Sequence, residues 1–279
     1  MWPRSVVRPT GLARASVDLA ALEARRGRPS RARRLLASAA PMLDATVDRE
    51  WRQSLWEQKV RLAAIHQLSK TVENVLGQVE PDQHLLRRRF LSIAAERFVA
   101  DRAFDPAALL LSRAVAESRQ SEGRAAKGWQ AAQAGALLLS GGSPVHAIPF
   151  FRRAARVYQA IDDPQLVFQC RNDLANALAG AERYDAAIRE HEVCLAIGHR
   201  LRDRVMLAHP LVAAISDTVL GLMRSGRGRV DRRTTAIARK VRAAAGTTIG
   251  SVIEGLLTVT AQAAREASAR GNRTPARDA

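Results

Sequence analysis

The chain has 279 residues, of which 47% are hydrophobic but only 4% aromatic, and it carries a formal charge of +17. That apolar content is enough for a continuous core without disulfide staples, which excludes a disordered or cysteine-framed class. The charge sits at the ends, with +7 on residues 1–34, +8 on residues 224–279 and only +2 on the body between them, so a basic surface along the whole chain is excluded too.

Basic ends can grip phosphate, rest on an anionic surface or simply stay hydrated. Arginine outnumbers lysine 40 to 4, a bias that GC-rich coding produces without functional demand. Residues Met1 to Leu12 contain no apolar run of signal-peptide length. Thr247 to Ala264 is interrupted by Glu254 and Gln262, so no bilayer span is expected. Cys170 and Cys194 fall inside helical patterns and read as reduced core residues, which points to a cytoplasmic protein.

In chain order, residues 1–45 form a basic segment containing a degenerate helix pair. Leu12, Leu19 and Leu22 precede a break at Gly27 and Pro29, and Leu35, Leu36 and Met42 follow it. Residues 46–80 read as one long or bent connecting helix. There Leu55, Leu62, Ile65, Val72, Leu76 and Val79 fill most of a heptad register, either as a seam toward a second copy or as a stripe packed on neighbouring helices. Residues 81–203 then contain three regular repeats. Their helix pairs run Leu85–Ala100 and Asp105–Ser121, Ala125–Leu139 and Pro144–Ile161, and Gln165–Ala179 and Asp185–Leu201. Residues 204–268 read as a degenerate repeat with capping helices, and 269–279 as a disordered basic tail.

The three repeats superpose at a constant offset of about 40 residues, a period typical of helical-hairpin arrays. Ala95, Gly135 and Ala175 share a column, as do Phe98, Leu138 and Leu178; Ala107, Ala147 and Ala187; and Ala114, Ala154 and Cys194. Small residues recurring at fixed spacing mark places where paired helices approach closely. The fold class is therefore all-α, a helical-hairpin solenoid with atypical ends.

The third repeat carries the most specific pattern. Leu174-Ala175-Asn176-Ala177-Leu178, then Tyr184-Asp185-Ala186-Ala187-Ile188 and Cys194-Leu195-Ala196, resemble a tetratricopeptide repeat. The second repeat keeps Gly135, Ala147 and Ala154 but has Ser143-Pro144 in place of the aromatic-Asp entry; the first keeps Ala95, Phe104-Asp105, Ala107 and Ala114. Leu19-Ala20, Ala32 and Ala39 repeat the same spacings near the amino end. The period is longer than the family's common one of about 34 residues. Longer helices of this kind occur in bacterial signalling and peptide-sensing members.

The resemblance implies a right-handed solenoid that binds a protein or peptide on a concave face lined by the first helix of each pair. It places Ser92, Glu96, Trp129, Gln133, Asn172 and Asn176 on that face, with Asn176 matching an asparagine that often bonds a peptide backbone. The family's basic clamp for a peptide carboxylate has no counterpart here.

Motifs for chemistry are missing. Gly226-Arg227-Gly228 lacks the lysine of a phosphate loop, and no H-E-x-x-H or G-x-S-x-G pattern occurs. His191 and Cys194 occupy columns filled elsewhere by Leu111/Phe151 and Ala114/Ala154, which makes them packing residues rather than metal ligands. Arg87-Arg88-Arg89 and Arg152-Arg153 read as solvated helix faces. The expectation is a non-enzymatic scaffold or regulatory module needing no cofactor or metal. It would bind a protein or peptide and no membrane, with homodimerisation open. The alternative is a nucleic-acid-associated or peptide-sensing transcriptional regulator whose basic ends contact phosphates.

Overall fold

The computed structural model describes residues 9–44, 49–118 and 123–203, together with 210, 213, 214 and 217. The helices and tail expected after residue 204 lie outside the described residues, apart from those four positions. The described residues form α1 (Pro9–Arg25), α2 (Pro29–Asp44), α3 (Arg49–Leu62), α4 (Ile65–Leu76), α5 (His84–Ala100), α6 (Phe104–Ala116), α7 (Gly123–Ser140), α8 (Pro144–Ala160), α9 (Pro164–Gly180) and α10 (Tyr184–Leu201), with no strand among them. The fold is all-α and built on helical hairpins. The chain divides into two compact units, 1–122 and 123–279, a boundary that falls after the first of the three regular repeats.

The hairpins share one turn chemistry. Each closes on a short turn whose middle residue has positive φ: Gly27, Arg102, Gly142 and Glu182. The amide after it reaches back to a carbonyl in the last turn of the helix, as Ala103 to Phe98 (2.8 Å), Ser143 to Leu138 (2.9 Å) and Arg183 to Leu178 (2.8 Å). This is the Schellman closure, which satisfies carbonyls that the helix end leaves open. Asp162 and Arg202 repeat it after α8 and α10. Arg102, Gly142 and Glu182 follow one another at the spacing of Ala95, Gly135 and Ala175, so the period of the sequence is also a period of the backbone. Pro144 and Pro164 enter the first turns of α8 and α9, and Asp163 caps α9 by accepting from the Leu166 amide at 3.0 Å.

Each repeat column is buried: Ala95, Ala107 and Ala114 in the first unit, and Gly135, Ala147, Ala154, Ala175, Ala187 and Cys194 in the second. The need for small side chains is direct at Gly135, where an added Cβ would lie 2.9–3.0 Å from the Phe151 ring. Gly128 has the same relation to Tyr158. Phe151 and Tyr158 of α8 thus fill space that α7 leaves open.

In the first unit, Ala13, Val17 and Ala20 of α1 pack on Ala32, Leu36 and Ala39 of α2, with Leu55 of α3 joining them. Residues 49–76 form two helices broken at Ala63-Ala64, where Ala64 is extended. Arg97 of α5 holds the break. Its guanidinium donates to the carbonyls of Val60 (3.2 Å), Arg61 and Ala63 (3.0 Å) at the end of α3. Leu55, Val72, Leu76 and Val79 of the heptad stripe are buried inside this unit, and Trp56 meets Phe90 edge to face at 6.4 Å.

The reading of Arg87-Arg88-Arg89 as a solvated face needs correction. Arg87 donates to the Leu76 carbonyl at the end of α4 (3.1 Å) and to Glu117 (3.0 Å), and Arg88 donates to Ser118 (3.3 Å). Arg89 is exposed but pairs with Glu57 at 2.6 Å. These partners belong to other parts of the chain, where helical spacing gives no hint of them.

The turn geometry yields a paired prediction. A Cβ on Gly142 meets nothing within 4 Å, so Gly142→Ala tests φ strain alone and should destabilise by about 1 kcal/mol. Arg102→Gly, at the equivalent position, should instead stabilise by roughly 0.5 kcal/mol, since relief of the left-handed strain outweighs glycine's extra unfolded entropy. Urea melts of the two variants should shift in opposite directions.

Candidate peptide-binding face

In the second unit α7 and α9 are the first helices of successive hairpins. They touch directly, while α8 packs against both. Burial follows helical spacing. On α7, Gly128, Ala131, Ala134, Gly135 and Leu138 turn inward, which leaves Trp129, Gln133 and Ala136 exposed and Ala132 half-buried. On α9, Val167, Cys170, Leu174, Ala175 and Leu178 turn inward, leaving Gln169 exposed and Asn172, Asp173 and Asn176 half-buried.

The structure thus puts four of the expected site residues, Trp129, Gln133, Asn172 and Asn176, on adjoining helices of one unit. Ser92 (half-buried) and Glu96 (exposed) are on α5, in the other unit. Trp129 is 53% exposed, an unusual state for the largest apolar side chain, and projects outward because Gly128 must face the Tyr158 ring. Asn172 Oδ1 is buried and accepts no hydrogen bond among the described residues. A buried acceptor left unpaired costs about 1–3 kcal/mol, and because this oxygen is sealed from solvent the amides open to a ligand are those of Gln169 and Asn176.

Gln169 belongs to the same face but was not singled out in the sequence. The signal was present, because Gln169 lies one repeat period after Trp129. The columns Trp129/Gln169, Ala132/Asn172, Gln133/Asp173 and Ala136/Asn176 place a mostly apolar strip on α7 beside a polar strip of three amides and one carboxylate on α9. Such a pairing suits an extended peptide whose backbone meets the amides while a side chain covers the indole.

Groups with reactive potential are held in the core. Burial pushes the thiols of Cys170 and Cys194 up to about 12, so both stay protonated, and Cys194 donates to the Phe168 carbonyl at 3.7 Å. His191 is fully buried with Nε2 3.3 Å from Asp217 Oδ2, close enough for an ion pair but without hydrogen-bond geometry. Among the described residues no group of three or more metal-ligating side chains converges, and no helix is long and apolar enough to cross a membrane.

No protein-family model matches the chain, and no curated protein matches it. Solved structures with a related arrangement include the apo form of RapI (12% identity, 91% of this chain and 72% of that one, TM-score 0.45). BtubC (BKLC) from P. vanneervenii is similar at 16% identity, 99% and 96% coverage and TM-score 0.40. Aspartyl phosphate phosphatase F from Bacillus subtilis is similar at 13% identity, 96% and 84% coverage and TM-score 0.39. At these scores the likeness adds nothing to what the hairpins and columns of this chain show by themselves.

The first unit holds a cleft of about 420 Å³ lined by Glu73, Leu76, Gly77, Val79, Glu80, Arg87 and Arg113 among others. Three of its four charged side chains are paired. Arg113 pairs with Glu73 and its hydrogen bond lowers the Glu73 pKa. Burial raises the Glu117 pKa, but hydrogen bonds from His84 (2.7 Å) and Arg87 outweigh it and the net shift is downward. A depressed carboxylate stabilises the fold above its unfolded value, near 4.5, and that contribution disappears as pH falls through the lower folded value. Glu117→Gln should therefore lower stability by about 1 kcal/mol near neutrality, with the gap to wild type closing in acid below that range. Denaturant melts across a pH series would show this convergence.

Proposed function

We propose that this chain is a non-enzymatic protein- or peptide-binding module of the tetratricopeptide type, working in the cytoplasm without a cofactor. Its ligand is an extended peptide segment taken up on the α7/α9 face. The observation that supports this reading is the half-exposed indole of Trp129 beside the amide row Gln169, Asn172 and Asn176. A scaffold role fits a chain in which His191 and both thiols are used for packing.

The specificity implied is coarse. Amides read backbone, which every peptide offers, and Trp129 with Ala132 and Ala136 selects an apolar or aromatic side chain at one position. Half of a tryptophan surface is on the order of 100 Å², and covering it contributes about 2–3 kcal/mol.

Panning a displayed peptide library against the intact protein should enrich sequences with a spaced apolar or aromatic residue. Affinity for an enriched peptide should fall about 30- to 150-fold in Trp129→Ala and about fivefold in Asn176→Ala, while helicity and melting stay unchanged. Equal binding by wild type and both variants would remove the face from consideration.

A further inference from the structure

The densest charge in the described chain lies far in sequence from the peptide face. Residues 25–34, the turn between α1 and α2, hold six arginines and no acid: Arg25, Arg26, Arg28, Arg31, Arg33 and Arg34, all exposed. Beneath them is one carboxylate. Glu23 is 3% exposed and lies 3.7 Å from Arg26, 3.6 Å from Arg28 and 3.8 Å from Arg31. Its Oε2 is buried without a hydrogen bond among the described residues; Arg28 and Arg31 stand at ion-pair distance from that oxygen and Arg26 from Oε1. One negative charge thus draws together side chains that would otherwise repel and splay.

The placement also runs against the stability of α2. The amino end of a helix carries partial positive charge and prefers acids. The first turn of α2 contains none, while Arg31 lies in it and Arg33 and Arg34 follow directly. Only Arg25, in the last turn of α1, has the sign its helix end prefers. The carboxyl end of α1 meets the amino end of α2 at this turn, so their partial charges largely offset and the positive potential comes from the six guanidiniums, which an anion settling there would stabilise. Four other arginines of this unit are matched: Arg97 holds helix carbonyls, and Arg87, Arg89 and Arg113 hold carboxylates. At this turn Arg33 reaches neutral acceptors, the Leu62 carbonyl and Ser30 hydroxyl, both at 3.4 Å.

We infer that the α1–α2 turn is a docking site for the phosphodiester backbone of a nucleic acid, read without base specificity. Six guanidinium forks on both arms of a tight turn match a row of phosphates, and guanidinium binds phosphate oxygens in pairs. A lipid surface fits less well. Of the exposed leucines of α1 only Leu22 is within a turn of Arg25; Leu19 and Leu12 are about 9 and 20 Å of helix rise away, so the arginines do not frame an apolar patch that could enter a bilayer.

The test is fluorescence anisotropy of a labelled mixed-sequence duplex with the full chain over a salt series. Compared are wild type, the triple variant Arg28→Gln/Arg31→Gln/Arg34→Gln, and a control triple on α8, Arg152→Gln/Arg153→Gln/Arg156→Gln. The turn variant should lose at least about tenfold in affinity and flatten the slope of log K against log salt by about 2–3, while the control stays within roughly twofold. Arg28 and Arg31 also offset the buried Glu23 charge, so the double variant Arg25→Gln/Arg34→Gln, neither of which lies at ion-pair distance from Glu23, is compared alongside and should melt as wild type while losing at least about threefold in affinity. The inference is overturned if wild type does not bind at low salt, or if both triples weaken binding equally. It is also overturned if the turn variant binds normally while truncation of residues 224–279 abolishes binding, or if vesicles of anionic phospholipid are bound in preference to the duplex.

Discussion

The close approach of two helices at columns of alanine and glycine governs the rest of this molecule. Where Gly135 faces Phe151, one extra methyl group would meet the ring at 2.9 Å, so helix separation is fixed by what is missing from the side chain. Small residues at 95, 107 and 114 recur one and two periods later, which makes each hairpin a copy of the last. Because the inward side of each first helix is fixed by these columns, its outward side is fixed too. Trp129 is exposed for that reason, one position past a glycine that must face Tyr158.

Arginine performs two opposite tasks in the first unit. At Arg87 and Arg97 the guanidinium enters the fold and takes the carbonyls left open at the ends of α4 and α3, replacing a glycine closure or a polar cap. Around the α1–α2 turn the Gly27 closure already satisfies the carbonyls, through the Arg28 amide and the Glu23 carbonyl at 2.9 Å. The arginines there are left to act on what lies outside. The same residue type is thus mortar in one place and an exposed positive surface in another, and local backbone chemistry decides between them. The chain's arginine excess has a structural share that composition conceals.

Legibility varied in the same way. The hairpin turns could be read because Gly141-Gly142 and Asp162-Asp163-Pro164 are strong punctuation, and the faint amino-terminal pair was real because Ala20, Ala32 and Ala39 are fully buried. The break at Ala63-Ala64 could not be read, since alanine favours helix and the group that holds the end of α3 there is Arg97, on a different helix. The heptad stripe of 46–80 was visible, but whether it faced a second copy or its own chain depended on α2 and α5 being present to cover it. For the candidate face, the family resemblance pointed to Asn172 and Asn176, and the period relates Gln169 to Trp129. Neither gave a sign that Ser92 and Glu96 lie in a different compact unit from the other four residues.

By itself the sequence determined the all-α class, the hairpin period and the inward columns, because these depend on side-chain volume and spacing within one or two helices. Tertiary structure alone decided which arginines are internal, where the connecting helix breaks, how the chain divides into two units and which site residues share a face. Those outcomes rest on contacts between groups far apart in the chain, such as Arg97 with the end of α3, His84 with Glu117 and Arg113 with Glu73. No periodicity within a helix encodes such a contact, since what creates the partner is the position of another helix in space.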